Sequence, residues 1–182
     1  MEYISYLYYF CTILPGPFFE YKEYISFIDR SIFGPSKQIP SGSLKAFLLI
    51  WVRIIVVLAG VFLAFSYHPS YLWKNQQLVD NLNFFARWGL IMISFPLMRC
   101  QYYCGWLMSE AAVVISGFGF NGYSDEAKTK PRWDRVTNIS LTGVELGTAM
   151  KDLIANWNQG TARFLKFCNF LQIYFIFYLF FS

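Results

Sequence analysis

Five stretches of the chain are apolar and long enough to be read as membrane segments. They run from about Tyr3 to Phe19, Ala46 to Phe65, Phe84 to Met98, Tyr102 to Phe120 and Phe164 to Phe181. The second matches the roughly 20 residues a helix needs to cross a hydrocarbon core. The first is interrupted by Pro15-Gly16-Pro17, and only Arg99 to Gln101 separates the third from the fourth. Polar connections lie between them. Residues 20–45 hold Gly34-Pro35 and the turn-rich Pro40-Ser41-Gly42-Ser43, and residues 121–142 hold Asn121-Gly122 and Lys128-Thr129-Lys130-Pro131-Arg132. The pattern predicts an all-α, polytopic helical membrane protein with about four to five membrane segments, forming a single domain over residues 1–182. No repeat is visible, and low complexity is confined to the Phe-, Tyr- and Leu-rich tail.

Composition supports the membrane reading. Of 182 residues, 56% are hydrophobic, 21% aromatic and only 14% charged, against roughly 25% charged in soluble domains. The net charge of +4 comes without a basic run or aromatic–basic interleaving, so a nucleic-acid partner is not expected. The expected partner is the lipid bilayer. Cys11, Cys100, Cys104 and Cys168 show no zinc-type spacing; Cys100 and Cys104 read as neighbours on one helix, packing as small apolar residues. No metal site is expected.

Orientation is contradictory at this level. The loops at 20–45 and 121–162 are cation-rich, whereas 66–83 carries only Lys74. Three full spans between the two basic loops would put them on opposite sides, against the positive-inside rule, unless one segment is re-entrant or too short to cross.

An ionisable group at membrane depth costs about 2.5–3.5 kcal/mol on insertion scales, so each one calls for a partner. Arg53 shares a helical line with Ala46 and Gly60, which would face protein. Glu110 lies beside a stripe of small residues, Gly105, Ser109, Ala112, Ser116 and Gly119, whose spacing favours close helix approach. It is expected to face the bundle interior, either lining a polar cavity or holding a neighbouring helix.

From Gly143 to about Cys168 the pattern predicts an amphipathic helix. Leu146, Met150, Leu153, Trp157, Phe164 and Cys168 trace its apolar face; Asp152, Asn156, Gln159, Arg163 and Lys166 trace the polar one. Asn158 belongs to neither line. An amide at the edge of an apolar face needs partners, either on a neighbouring helix or in a cavity.

Several stretches taken together resemble one family. Leu14-Pro15-Gly16-Pro17-Phe18-Phe19-Glu20-Tyr21-Lys22-Glu23-Tyr24 resembles the GP-x-FEY-x-x-Y block of membrane-bound O-acyltransferases. Tyr102-Tyr103, Trp106, Glu110 and Gly117-Phe118-Gly119-Phe120-Asn121-Gly122 resemble its next block. Trp133-Asp134, Asn138-Ile139, Val144-Glu145 and Asn156-Trp157-Asn158-x-x-Thr161 resemble the approach to its active-site helix. Order and spacing over about residues 8–168 fit the lysophospholipid acyltransferase branch best, with residues 169–182 a divergent apolar tail.

The resemblance implies a helical fold enclosing a tunnel, an endoplasmic-reticulum location, and transfer of a fatty acyl group from acyl-CoA, a co-substrate, to a lysophospholipid hydroxyl; no other cofactor is implied. Asn158 falls on the family's active-site asparagine, and Glu110, Trp157 and Thr161 are the expected substrate contacts. The family's general base is a histidine in an apolar span further on. Here the only histidine is His68, beside Pro69 in a short loop, and none follows Asn158. The expectation is therefore a fragment or alternative product carrying half of an active site and inactive alone; the alternative is a non-catalytic truncated membrane protein binding lipid or partner helices. A channel reading finds no filter-like pattern.

Overall fold

The computed structural model describes residues 2–9 and 16–166, and these are helical throughout apart from loops and one isolated bridge between Tyr123 and Pro131. Two short helices, α1 (Glu2–Leu7) and α2 (Tyr21–Ile28), open the chain. α3 (Ser43–Tyr67) follows, then the short α4 (Pro69–Lys74) and α5 (Gln76–Asp80), the long α6 (Phe84–Ser116), and α7 (Leu141–Glu145) and α8 (Met150–Asn156).

α3 is the membrane-length element. Its 25 residues span about 37 Å at 1.5 Å per residue, more than the roughly 30 Å of a hydrocarbon core. Only Ile50, Ile54, Val57 and Ala64 are buried, along one stripe. The opposite face is apolar and open: Val52, Ile55, Val56, Phe62, Leu63 and Phe65 are each more than half exposed. A face of that kind is tolerated against lipid and not against water. Pro69 ends the helix, since proline disfavours helical geometry in the residue before it, and His68 turns extended there.

The third and fourth expected segments are one helix. α6 runs unbroken for 33 residues through Arg99 to Gln101. Arginine, cysteine and glutamine are not helix breakers, and the charge taken as a boundary is paired elsewhere. Asn83 starts the helix by accepting from the Ala86 N–H at 2.9 Å, and Gly117 stops it with φ +94°. The expected first segment is also not a continuous helix: α1 ends at Leu7 and residues 16–20 are non-helical. The last lies, beyond Lys166, outside the described residues. Among the described residues only the α3–α4 stretch is long and apolar enough to cross a membrane by length and composition.

α3 and α6 pack antiparallel. A Cβ added at Gly60 would lie 2.6 Å from the Cys100 sulfur, while Ile50, Ile54 and Val57 join Tyr103, Trp106, Leu107, Ala111 and Val114 in one core. Rising numbers on α3 thus meet falling numbers on α6. With two antiparallel helices between them instead of three spans, the two basic loops fall at the same end; Gly42 there faces Pro131 and Trp133. The conflict with the positive-inside rule disappears.

A second core is built around aromatic rings. Phe118, fully buried, meets Phe19 edge-on at 4.5 Å and Phe27 at 4.9 Å. Tyr24, Val113 and Val136 complete it, and Arg135 closes its edge through Glu23 at 3.1 Å and the Phe120 carbonyl at 2.6 Å. This core fixes the residues 16–20 segment beside the end of α6.

Candidate active site

Asn158 sits in a break, not within a helix. α8 ends at Asn156, Trp157 is extended, and Asn158 takes φ +47° before residues 159–166 resume helical geometry. Asparagine is among the few residues that enter the left-handed region readily. Its carbonyl accepts from the Ala162 N–H at 3.1 Å, so it heads the new helical run. Its side-chain amide makes no hydrogen bond to the described residues, and it is half-buried. The expected amphipathic helix over 143–168 is corrected accordingly: Leu146 and Met150, assigned to its apolar face, are 76% and 71% exposed.

The break is clamped from one side by residues 138–140. Asn138, 3% exposed, accepts from the Gly160 N–H through its side-chain oxygen at 2.7 Å. Its main-chain carbonyl accepts from the Gln159 N–H at 2.9 Å, and the Ser140 N–H donates to the Asn156 carbonyl at 3.1 Å. Both flanks of Asn158 are therefore tied to one short stretch of chain. Gly160 is required at this approach: an added Cβ would stand 2.9 Å from the Asn138 oxygen and 3.1 Å from the Phe18 nitrogen. That contact also brings the Gly16-Pro17-Phe18 block to the same place, where Phe18 meets Phe164 edge-on at 5.0 Å.

The other expected site residues divide. Trp157 turns into the main core, 5.1 Å from Trp106 and 5.7 Å from Tyr103, which anchors the break against α6. Thr161 is exposed. Glu110 is 3% exposed and faces the interior as expected, accepting from the Thr137 hydroxyl at 2.9 Å; its other oxygen has no partner among the described residues. Thr137 is the neighbour of Asn138, so Glu110 holds the clamp to α6. Thr137 also lines a cavity of about 420 Å3 with Arg53, Ser140 and Thr142. Arg53, expected on a line facing protein, is exposed and forms no ion pair among the described residues, which leaves lipid phosphate, and not a carboxylate there, as its partner of the two the sequence allows.

Two residues were quoted in the sequence only as parts of a pattern. One is Asn138. The other is Glu145, which receives two hydrogen bonds from Arg99, at 2.9 and 2.5 Å, and one from the Tyr103 hydroxyl at 2.5 Å. This forked pair joins α7 to the middle of α6. The only local hint at the break was the run Asn158-Gln159-Gly160, which suits a turn better than a helix interior. Nearby, Asp134 accepts from Asn121 at 2.8 Å and pairs with Arg132 at 2.7 Å. Burial pushes its carboxyl pKa up, but these partners outweigh burial and hold it below the ordinary value. Among the described residues no group of histidine, cysteine and carboxylate side chains is placed to hold a metal ion.

Comparison with known proteins decides the kinship. The family model for membrane-bound O-acyltransferases matches residues 1–167. The chain belongs to that family. Within it, the chain is 31% identical over 179 residues to "Lysophospholipid acyltransferase 6" of Drosophila melanogaster, covering 91% of this chain and 24% of that protein. It is 29% identical to "Lysophospholipid acyltransferase" of Schizosaccharomyces pombe, covering 95% of this chain and 34% of that protein. Against "Lysophospholipid acyltransferase" of Saccharomyces cerevisiae the identity is 26%, with 95% and 30% covered. This membrane-bound O-acyltransferase chain is thus of the lysophospholipid acyltransferase branch, and it spans about a quarter to a third of the length of these relatives.

Proposed function

We propose that these residues form the asparagine-bearing part of an acyltransferase that moves a fatty acyl group from acyl-CoA to a lysophospholipid hydroxyl, in phospholipid remodelling at the endoplasmic reticulum. The observation that carries the proposal is the Asn158 break. A half-buried amide without a partner among the described residues is held on both flanks by the Asn138–Ser140 stretch, beside a core helix and an apolar membrane face. In the reaction the lysolipid oxygen bonds to the thioester carbon, the hydroxyl proton passes to a base, and the CoA sulfur departs and is protonated. The Asn158 amide can donate to the carbonyl oxygen or hold the hydroxyl; either use needs a fixed amide free of other partners. Thr161, three residues on and exposed, is free to contact substrate, and Trp157 acts as a wall. Glu110 acts by positioning the clamp. We take the whole of residues 1–182 as one domain contributing to a helical membrane bundle.

The proton acceptor is the part these residues do not supply. His68 is bound to the connector after α3, where its Nδ1 accepts from the Ser70 N–H at 3.2 Å. That favours a second reading for the chain by itself: a non-catalytic membrane protein. The two readings part in one experiment. Microsomes carrying the 182 residues, and microsomes carrying a fusion of them to the downstream part of the fission-yeast relative, are supplied with labelled oleoyl-CoA and lysophospholipid. The fusion is expected to acylate and to lose at least a hundredfold with Asn158→Ala, while the chain alone stays at background. Acylation by the chain alone would overturn the missing base; full activity of the Asn158→Ala fusion would overturn the role of Asn158.

A further inference from the structure

α3 ends in an elbow made by α4, α5 and the first turns of α6, and this elbow frames an open groove of about 420 Å3. That volume lies within the roughly 300–1,000 Å3 typical of ligand sites. Its walls are Leu72, Trp73, Leu90, Ile91 and Phe95, and Arg87 and Asp80 stand among its lining residues. Around the elbow Trp73, Phe84, Phe85 and Trp88 are 76%, 74%, 80% and 55% exposed. A cluster of exposed tryptophan and phenylalanine at the end of a membrane-length helix is where a chain meets the headgroup layer.

Arg87 supplies the second observation. Its Nε is buried without a partner among the described residues, while the side chain as a whole is 43% exposed; one terminal nitrogen donates to the Asp80 and Leu82 carbonyls at 3.3 and 3.4 Å and lies 4.0 Å from the Asp80 carboxylate. The exposed part of the guanidinium is open to a ligand in the groove, and a guanidinium is built to meet phosphate. The Asp80 side chain is 70% exposed, at the longest distance that counts as an ion pair, so the pair is weak and the carboxylate is open to another cation.

We propose that this groove binds one zwitterionic glycerophospholipid of the bilayer. An acyl chain lies against Leu72, Leu90, Ile91 and Phe95, the phosphate meets Arg87, and the headgroup amine meets Asp80. The site is separate from Asn158: Ile91 and Trp106, which touches Trp157, are some 22 Å apart along α6 at 1.5 Å per residue. It holds a lipid at the elbow whether or not acyl transfer takes place at Asn158.

Photo-crosslinking of the full chain in lipid nanodiscs tests this. A phosphatidylcholine carrying a diazirine in one acyl chain is expected to label peptides covering residues 69–80 and 87–95. Ile91→Trp, which fills the groove, should reduce that labelling at least fivefold while labelling of the outer face of α3 stays constant; so should Arg87→Gln with Asp80→Asn. On the unaltered chain, unlabelled phosphatidylcholine should compete at least fivefold better than oleic acid or phosphatidylglycerol. Groove labelling indifferent to Ile91→Trp overturns the site. Equal competition by oleic acid overturns the phosphate contact, and equal competition by phosphatidylglycerol overturns the amine contact.

Discussion

Asn138→Ala is the sharpest test of how the Asn158 break is built. The substitution removes the one side-chain oxygen that accepts from the Gly160 N–H, at 2.7 Å and in a position 3% exposed. Water does not reach the vacated place freely, so the amide is left unsatisfied, at a cost of about 1–3 kcal/mol. The main-chain bond from Gln159 to the Asn138 carbonyl survives, because it does not involve the side chain. The loss is therefore local to the start of the 159–166 helix. It should raise the open fraction of that turn by about 5- to 150-fold, given that 1.4 kcal/mol corresponds to a factor of ten. Hydrogen exchange read by mass spectrometry on the chain in nanodiscs measures this directly. Peptides covering residues 157–162 should exchange faster by that factor, and peptides from α3 and the middle of α6 should not change. Unaltered exchange at 159–160 would refute the clamp; acceleration over the whole chain would show that Asn138 supports the fold at large and not the break.

Three further outcomes follow from the packing. Gly60→Leu should separate α3 from α6 and cost about 1–3 kcal/mol through overpacking, read as a lower thermal midpoint in detergent; Cys100→Ala should restore part of it, since the sulfur is the nearest atom to the added Cβ. Phe118→Ala should cost about 3–5 kcal/mol, because the ring is fully buried between Phe19 and Phe27. Asp134→Asn should lower the midpoint at pH 6 by an amount equivalent to under about 1 kcal/mol, the pair being half exposed. The Asp134 carboxyl is held below its ordinary pKa of 3.8, so its contribution is fully present above that value and is lost as pH falls through the folded one. The gap between wild type and variant should close as the pH is taken below 3.8; a gap that stays constant would refute the assignment.

How much of this was legible beforehand depended on range. α3 was readable because a twenty-residue stretch broken by a single charge, Arg53, needs no partner to be recognised; the helix exceeds the expected Ala46–Phe65 by only a few residues at each end. α6 was divided in two because Arg99 looks like a boundary when its partner is 46 residues away at Glu145. The helix through Asn158 was misread for a different reason. Periodicity averages over turns and is blind to one residue with positive φ, and the hydrogen bonds that hold it come from Asn138, far back in the chain. Trp157 was expected at substrate because of its neighbours in sequence; what the sequence did not show is that its ring also packs on Trp106 and Tyr103, far back in the chain. Glu110 was placed correctly toward the interior, since the small-residue stripe is a local signal.

The Arg99–Glu145 pair sets a schedule for biogenesis. Cys100, beside Arg99, meets Gly60 of α3, about 7–8 Å from the middle of that helix at 1.5 Å per residue. Arg99 is synthesised well before the carboxylate that pairs with it. The 46 residues to Glu145 take roughly 2–9 s at 5–20 residues per second. Through that interval the Arg99 guanidinium lacks its Glu145 carboxylate. The order of synthesis thus puts closure of the Arg99–Glu145 pair, and with it the docking of α7 on α6, after both long helices have been made.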